Sequence, residues 1–131
     1  KIIKLKNSSN KNKELEIWGD GEQTRSFLFI NDCIEGSLKL FDSAFREPLN
    51  IGSEEQVSIN QMIDIINEIA GNFDFKRKYL LDMPKGVRGR SSNNDLLKKT
   101  LNWNYQINLK EGLGYLYNWI YDDILESNHM V

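Results

Sequence analysis

The sequence predicts an α/β protein in which short strands alternate with helices. Apolar runs of strand length, bounded by turn residues, occur at residues 15–18, 25–30 and 48–53. Between and after them, apolar residues recur at helical spacing, and two of these segments open with a capping box. Strands that alternate with helices indicate the α/β class. Because the strands are few and widely separated, we predict too little sheet for a complete doubly wound domain.

The composition indicates one globular domain that spans residues 1–131. The chain has 131 residues, of which 40% are hydrophobic and 27% charged, and its mean hydropathy is -0.53, as in typical soluble proteins. A formal net charge of -2 argues against nucleic-acid binding, because nucleic-acid-binding domains are usually strongly basic. The longest apolar runs are only a few residues, so we expect no membrane-spanning segment.

The cysteine and histidine content argues against several kinds of site. Cys33 is the single cysteine, so no disulfide forms within the chain, and a free thiol fits a reducing compartment. His129 is the single histidine, so we expect neither a His-based metal site nor a Ser-His-Asp triad. The sequence therefore predicts a cytoplasmic protein with no metal site.

The first 30 residues predict the end of a helix, a loop and two strands around a tight turn. Residues 1–13 carry three apolar side chains followed by a polar loop, and residues 15–18 form a short strand. Gly19-Asp20-Gly21 supplies the positive φ angles that a tight turn needs. The run 25–30 is apolar on both faces from Phe27 onward, which predicts a strand covered on both sides.

The helix starts are marked by side chains that cap backbone N–H groups. Asn31 is placed to cap one helix. Ser58 with Gln61, and Asn108 with Glu111, have the spacing of capping boxes. The predicted helices cover residues 31–42, 58–71, 95–101 and 109 onward, and the predicted strands between them are a buried strand at 48–53 and an edge strand at 73–81.

Three loops carry polar residues that folding alone does not require: residues 23–25, 50–53 and 86–90. Arg25 and Arg90 can each present a planar fork of donors to a phosphate, and the glycines of the third loop permit close approach of a ligand to the backbone. A diphosphate suits two such arginines. The alternative is that Arg25 pairs with a surface carboxylate and that the loop 86–90 is simply solvated.

The blocks "WGDGEQTRSFLFINDCIEG", "FREPLNIGSEEQVSINQM" and "KGVRGRSSNNDLLKKTLNW" resemble consecutive blocks of the GDP-mannose 3,5-epimerase family, within the extended short-chain dehydrogenase/reductase superfamily. The resemblance spans about residues 15–122, and the order and spacing of the blocks make it specific. It implies that residues 1–131 form the C-terminal, substrate-binding domain of an NAD-dependent sugar-nucleotide epimerase, without the Rossmann domain that binds NAD.

The resemblance also implies a set of substrate-binding residues. Gln23, Thr24 and Arg25 match a triplet that contacts the sugar nucleotide, and Arg90 matches a phosphate-binding arginine. Supporting roles fall to Arg88, Asn50, Gly52 and Ser53, which lie in matching loops. Lys1 is the candidate for a lysine that the family uses upstream of its "WGDG" motif.

Two family motifs do not occur in the sequence. There is no G-x-G-x-x-G turn for NAD, and no tyrosine has a lysine four residues later. We therefore predict no catalytic and no cofactor-binding residue on this chain, and NAD is implied only for the complete enzyme. The resemblance implies that in that enzyme bound NAD transiently oxidises the hexose at C4, which acidifies the protons at C3 and C5. Acid/base groups can then invert those centres before the hydride returns to C4.

We predict that the chain binds a nucleotide-diphosphate sugar such as GDP-mannose and is inactive alone. It would act with a separate Rossmann-domain chain, or self-associate through open strand edges. One alternative is a noncatalytic nucleotide-sugar-binding or interaction module. Another is a fragment of a related sugar-nucleotide dehydratase or reductase.

Overall fold

The computed structural model describes residues 1–84 and 86–129. The helices are α1 (Ile2–Asn7), α2 (Ile30–Asp42), α3 (Ile59–Ile69), α4 (Asp95–Leu101) and α5 (Leu109–His129). The strands are β1 (Glu14–Trp18), β2 (Thr24–Ser26), β3 (Gln56–Ser58), β4 (Lys76–Leu80) and β5 (Gly89–Arg90). This mixture of short strands and helices confirms the α/β class. Within the described residues, no helix has both the length and the apolar character needed to cross a membrane.

The strands form two small sheets. In the first, β1 and β4 run parallel, from the pair Glu14 and Lys76 to the pair Trp18 and Leu80. In the second, β2 is the central strand, antiparallel to β3 and parallel to β5. Parallel strands need long crossover connections, and here the chain between β1 and β4 contains β2, α2, β3 and α3.

The core lies between the first sheet and the helices that cover it. Strand β1 alternates exposed and buried residues, with Leu15 and Ile17 only 6% and 3% exposed. The buried members of the core are Ile2, Leu15, Ile17, Ile63 and Ala70, which come from α1, β1, α3 and the end of α3. Tyr117 of α5 packs against this cluster from outside.

Two of the three predicted helix caps are present. Ser58 Oγ accepts from the backbone N–H of Gln61 at 3.1 Å, and Gln61 Oε1 accepts from the N–H of Ser58 at 2.8 Å. These reciprocal bonds confirm the capping box of α3 and contribute roughly 1 kcal/mol. At the start of α5, Asn108 Oδ1 accepts from the N–H of Glu111 at 3.0 Å.

The prediction that Asn31 caps α2 is wrong. The helix begins at Ile30, its N-cap is Phe29, and no side chain caps it. The polar residue that matters is Asp32, which is 3% exposed and accepts hydrogen bonds from the backbone N–H groups of Gln106 and Ile107 at 3.1 and 2.9 Å. The carboxylate is therefore used to hold a distant segment against the first turn of α2.

The predicted strand at 25–30 is wrong beyond Ser26. The neighbouring strands β3 and β5 pair only with residues 24–26, and α2 begins at Ile30. Phe27 and Ile30 are 39% and 59% exposed rather than covered on both sides. The apolar run therefore does not form a long strand, and two of its side chains are exposed to solvent.

The predicted buried strand at 48–53 is also wrong, because no described strand runs beside it. Its last two carbonyl groups bond to a loop instead: Gly52 O accepts from Asn94 Nδ2 at 2.7 Å, and Ser53 O accepts from the N–H of Ser92 at 3.4 Å. The predicted edge strand at 73–81 is confirmed over Lys76–Leu80. In the loop after it, the short strand β5 was not predicted.

We predict that Ile17→Ala lowers the free energy of unfolding by about 2–4 kcal/mol, because it removes a buried side chain and leaves a cavity. Urea denaturation followed by circular dichroism measures the change. The matched control is Ile34→Ala, because Ile34 is 51% exposed and its truncation should cost less than about 0.5 kcal/mol. Equal losses in the two variants would contradict the assignment of the core.

Candidate functional site

The two arginines singled out in the sequence lie side by side on one sheet. Arg25 of β2 pairs with Arg90 of β5 in the parallel register. Residues paired across neighbouring strands project from the same face, and the strands are about 4.8 Å apart. Like charges in this arrangement repel each other. An anion bound between the two guanidinium groups would remove that repulsion.

The loop before β5 closes against Arg25. Arg25 is half-buried, and its Nη1 donates to the carbonyl oxygen of Thr24 at 2.6 Å. Gly86 has a φ of +67°, and a Cβ atom there would lie 3.3 Å from Arg25 Nη2. Glycine therefore suits both the backbone conformation and the close approach. By contrast Arg90 is exposed, and within the described residues its guanidinium makes no hydrogen bond or ion pair.

Arg88 pairs with a surface carboxylate, which was the alternative role considered for Arg25. Its Nη1 lies 2.8 and 3.1 Å from the two carboxylate oxygens of Asp20. The hydrogen bond from Arg88, with a further one from the N–H of Glu22, lowers the pKa of Asp20 below its ordinary value of 3.8. The carbonyl oxygen of Arg88 accepts from the N–H of Thr24 at 2.9 Å. Arg88 thus contacts both the Gly19–Gly21 turn and strand β2.

Gln23 and Thr24 point away from the arginine pair. Thr24 alternates with Arg25 along β2, so its side chain projects from the opposite face. Gln23 is 8% exposed and its Nε2 donates to the carbonyl oxygen of Trp18 at 2.9 Å. Its Oε1 is buried and has no hydrogen-bond partner among the described residues. Gln23 lines an apolar cavity of about 540 Å³ between α1, β1, α3 and α5.

The loop 50–53 is held by Asn94, a residue that the sequence analysis missed. Asn94 is fully buried, and its Nδ2 donates to the carbonyl oxygen of Gly52 while its Oδ1 accepts from Ser92 Oγ at 2.7 Å. A Cβ atom on Gly52 would lie 2.6 Å from that of Ser92. Gly52 and Ser53 are therefore tied into a buried polar network. The only sequence signal was the run "SSNND", which is typical of a loop.

The remaining candidates lie apart from the arginine pair or outside the description. Lys1 lines the same cavity as Gln23, and Asn50 is exposed. The side chain of His129 lies outside the described residues. Among the described residues, His, Cys, Asp and Glu side chains form no group of three that could hold a metal ion.

The sequence is similar to that of NAD-dependent enzymes that act on sugar nucleotides. Residues 1–52 match the NAD dependent epimerase/dehydratase family. The chain is 49% identical over 113 residues to GDP-mannose 3,5-epimerase of Arabidopsis thaliana, a match that covers 83% of this chain and 28% of that protein. It is 34% identical over 113 residues to UDP-glucuronate 4-epimerase of Thermodesulfobacterium geofontis, covering 86% of this chain and 35% of that protein.

Solved structures agree with the sequence matches. The fold superposes on UDP-glucose 4-epimerase of Thermotoga maritima with a TM-score of 0.79 at 26% identity, covering 86% of this chain and 36% of that chain. It superposes on UDP-glucuronic acid 4-epimerase of Bacillus cereus, solved with UDP-glucuronic acid and NAD, with a TM-score of 0.77 at 28% identity. That match covers 95% of this chain and 38% of that chain.

By sequence and by fold, the chain is related to the sugar-nucleotide epimerases of the NAD dependent epimerase/dehydratase family. Within that family, the resemblance to the GDP-mannose 3,5-epimerases is confirmed by the match to the Arabidopsis enzyme. The chain spans about a quarter to a third of the length of the curated relatives that it matches. The individual roles of Gln23, Thr24, Arg25, Arg88 and Arg90 remain predictions.

We predict that Asp20 titrates below pH 3.8 and that Arg88→Ala returns its pKa close to that ordinary value. A lowered pKa means that the ion pair contributes to stability above pH 3.8, and that the contribution is lost as the pH falls through the folded-state pKa. An NMR titration of the Asp20 side-chain carboxyl carbon measures both values. Arg46→Ala is the control, because Arg46 donates to carbonyl groups of its own loop. A wild-type pKa at or above 3.8 would show that the pair is absent.

Proposed function

We propose that this chain is the substrate-binding part of an NAD-dependent sugar-nucleotide epimerase and that Arg25 and Arg90 bind the diphosphate of its substrate. The observation that carries the proposal is the pairing of Arg25 with Arg90 across β2 and β5. Each guanidinium group carries its N–H donors in a planar fork, and such a fork can bind phosphate oxygens in bidentate fashion. A diphosphate also supplies the two negative charges that offset the repulsion of this pair.

The substrate that we propose is GDP-mannose or a close analogue. The 49% identity to the Arabidopsis GDP-mannose 3,5-epimerase supports this choice. The Thermotoga and Bacillus epimerases that this fold resembles were solved with UDP sugars, which share the diphosphate and differ in the base. Identity to a putative GDP-L-fucose synthase of Arabidopsis is 30% over 123 residues. A related reductase therefore remains the second candidate, and it would use the same two arginines.

The chemistry of the complete enzyme would need groups that this sequence does not carry. NAD, held by another part of the enzyme, would supply the hydride acceptor at the hexose ring. The contribution of this chain is to hold and orient the nucleotide diphosphate, so that the hexose is presented to catalytic groups elsewhere. The absence of a Tyr-x-x-x-Lys pair from the sequence supports the view that the chain is inactive alone. We also propose a cytoplasmic location, on the basis of the single free cysteine.

An exposed apolar stripe and a run of unpaired backbone groups, both near α2, support a partnership with an NAD-binding domain. Helix α2 exposes Ile30, Ile34, Leu38 and Phe41 by 51–83%, and their spacing places them in one stripe. A few residues after α2, the backbone groups of residues 46–51 make no hydrogen bond to any other described residue. An apolar sheet with an open edge would satisfy both features. Both lie within residues 1–52, the region that matches the family.

We predict that Arg25→Ala and Arg90→Ala each weaken binding of GDP-mannose by about 1.5–3 kcal/mol, or about 10- to 150-fold, because each removes a charge-assisted phosphate contact. Isothermal titration calorimetry with GDP-mannose, UDP-glucose and dTDP-glucose measures both the loss and the base preference. Arg46→Ala, which removes an exposed arginine after α2, should bind like the wild type. Unchanged affinity in both site variants would disprove the diphosphate site.

We predict that the purified chain does not convert GDP-mannose when NAD is added, because the sequence holds neither the NAD turn nor the catalytic pair. Chromatography of the sugar nucleotides after incubation measures any product. The Arabidopsis relative, assayed in parallel, is the positive control. Product formed by this chain alone would contradict the assignment of a binding role only.

A further inference from the structure

The loop that carries Arg90 is attached to the rest of the protein by few contacts. Strand β5 is only two residues long and pairs with β2 alone. The carbonyl oxygen of Arg88 adds one backbone bond to Thr24. In the described part of the loop 82–90, Arg88 makes an ion pair with Asp20, and Gly86 lies close to Arg25 Nη2. The ion pair is therefore one of the contacts that can hold Arg90 beside Arg25.

Asp20 itself is held rigidly. It sits between Gly19 and Gly21, whose φ angles are +79° and +76°. A Cβ atom on Gly21 would lie 2.4 Å from Asn60 Oδ1, so the turn is packed directly against α3. Asn60 Nδ2 donates to the carbonyl oxygen of Asp20 at 3.2 Å. The N–H of Glu22 donates to Asp20 Oδ1 at 3.0 Å, which fixes the direction of the carboxylate.

We propose that Asp20 is a positioning residue for the diphosphate site, and that it acts through Arg88 to hold Arg90 beside Arg25. The inference rests on the proposed function, because it assumes that the arginine pair binds the diphosphate. It gives Arg88 a different role from direct contact with the substrate: its guanidinium binds Asp20, and Arg90 follows it two residues later in the same loop. A carboxylate near an anion site is unfavourable unless a cation offsets its charge, and Arg88 supplies that cation here.

The sign of the effect distinguishes positioning from ordinary electrostatics. Removal of a negative charge near an anion site normally strengthens anion binding. If Asp20 positions the loop, Asp20→Asn instead weakens binding of GDP-mannose, by about two- to fivefold for a surface pair. The substitution keeps an oxygen that can accept from Glu22, so the turn is retained. Glu22→Gln is the matched control, because it removes an equal charge from the same turn and should not weaken binding.

The second variant reverses the ion pair. Asp20→Arg combined with Arg88→Asp should restore the affinity to within about twofold of the wild type. Arg88→Asp alone should weaken it more than Asp20→Asn does, because it also adds negative charge near the site. If Arg88 contacts the substrate directly, the reversed pair will not restore affinity, and Asp20→Asn will bind as tightly as the wild type or more tightly. Either result would overturn the proposal. Thermal melts of each variant verify that the fold is unchanged.

A measurement without substrate separates this inference from the proposed function. Hydrogen exchange of the backbone amide of Thr24, which donates to the carbonyl oxygen of Arg88, reports the closure of β5 on β2 when it is followed by NMR. Exchange should be faster in Asp20→Asn than in wild type and Glu22→Gln, and the reversed pair should restore it. Unchanged exchange would overturn the positioning role even if Arg25→Ala weakens binding. Faster exchange in a chain that binds no sugar nucleotide would leave the positioning contact intact and remove the proposed function.

Discussion

The pairing of three residues in β2 with its two neighbours is the constraint on which the candidate site depends. Only residues 24–26 are paired, yet this pairing orients Arg25 and fixes its neighbour as Arg90. Side chains alternate along a strand, so a shift of one residue would place Arg25 on the face of Thr24. The antiparallel pairing with β3 opposes such a shift, because β3 leads directly into α3 and its capping box. The core therefore fixes the geometry of a site that is itself exposed.

Local signals in the sequence predicted the helices well, and distant partners were harder to foresee. The capping box of Ser58 and Gln61 is read from residues three apart, so it was found correctly. A strand, by contrast, requires a partner that the local sequence does not name. The run 48–53 has the composition of a strand, but the carbonyl groups of Gly52 and Ser53 bond to the loop at 92–94. Interactions between residues close in sequence were therefore predictable, whereas the pairing partners of strands were not.

The same distinction applies to the site. The sequence indicated Arg25 and Arg90 as phosphate-binding side chains, and the resemblance supplied their context. It did not indicate that Arg88 would pair with Asp20, since these residues are 68 positions apart and exposed arginines have many available partners. Nor did it indicate that Gln23 would turn inward, where its Oε1 lacks a partner. A buried acceptor without a hydrogen bond costs about 1–3 kcal/mol. The apolar side chains that line the cavity offer Gln23 no donor that would offset this cost.

Helix α2 is supported on one side only, and this affects the order in which the chain becomes stable. Gly36 packs against Trp103 and Ile51 on one face of the helix. Ile34 and Leu38 lie on the opposite face, about 200° around the helix from Gly36, and are exposed to solvent. No side chain of α2 belongs to the core cluster that includes Ile63 of α3. Such a helix opens by local unfolding at a lower free-energy cost than the core does. If the chain assembles with a larger structure that covers the exposed side of α2, the free energy of local unfolding should rise most in this helix.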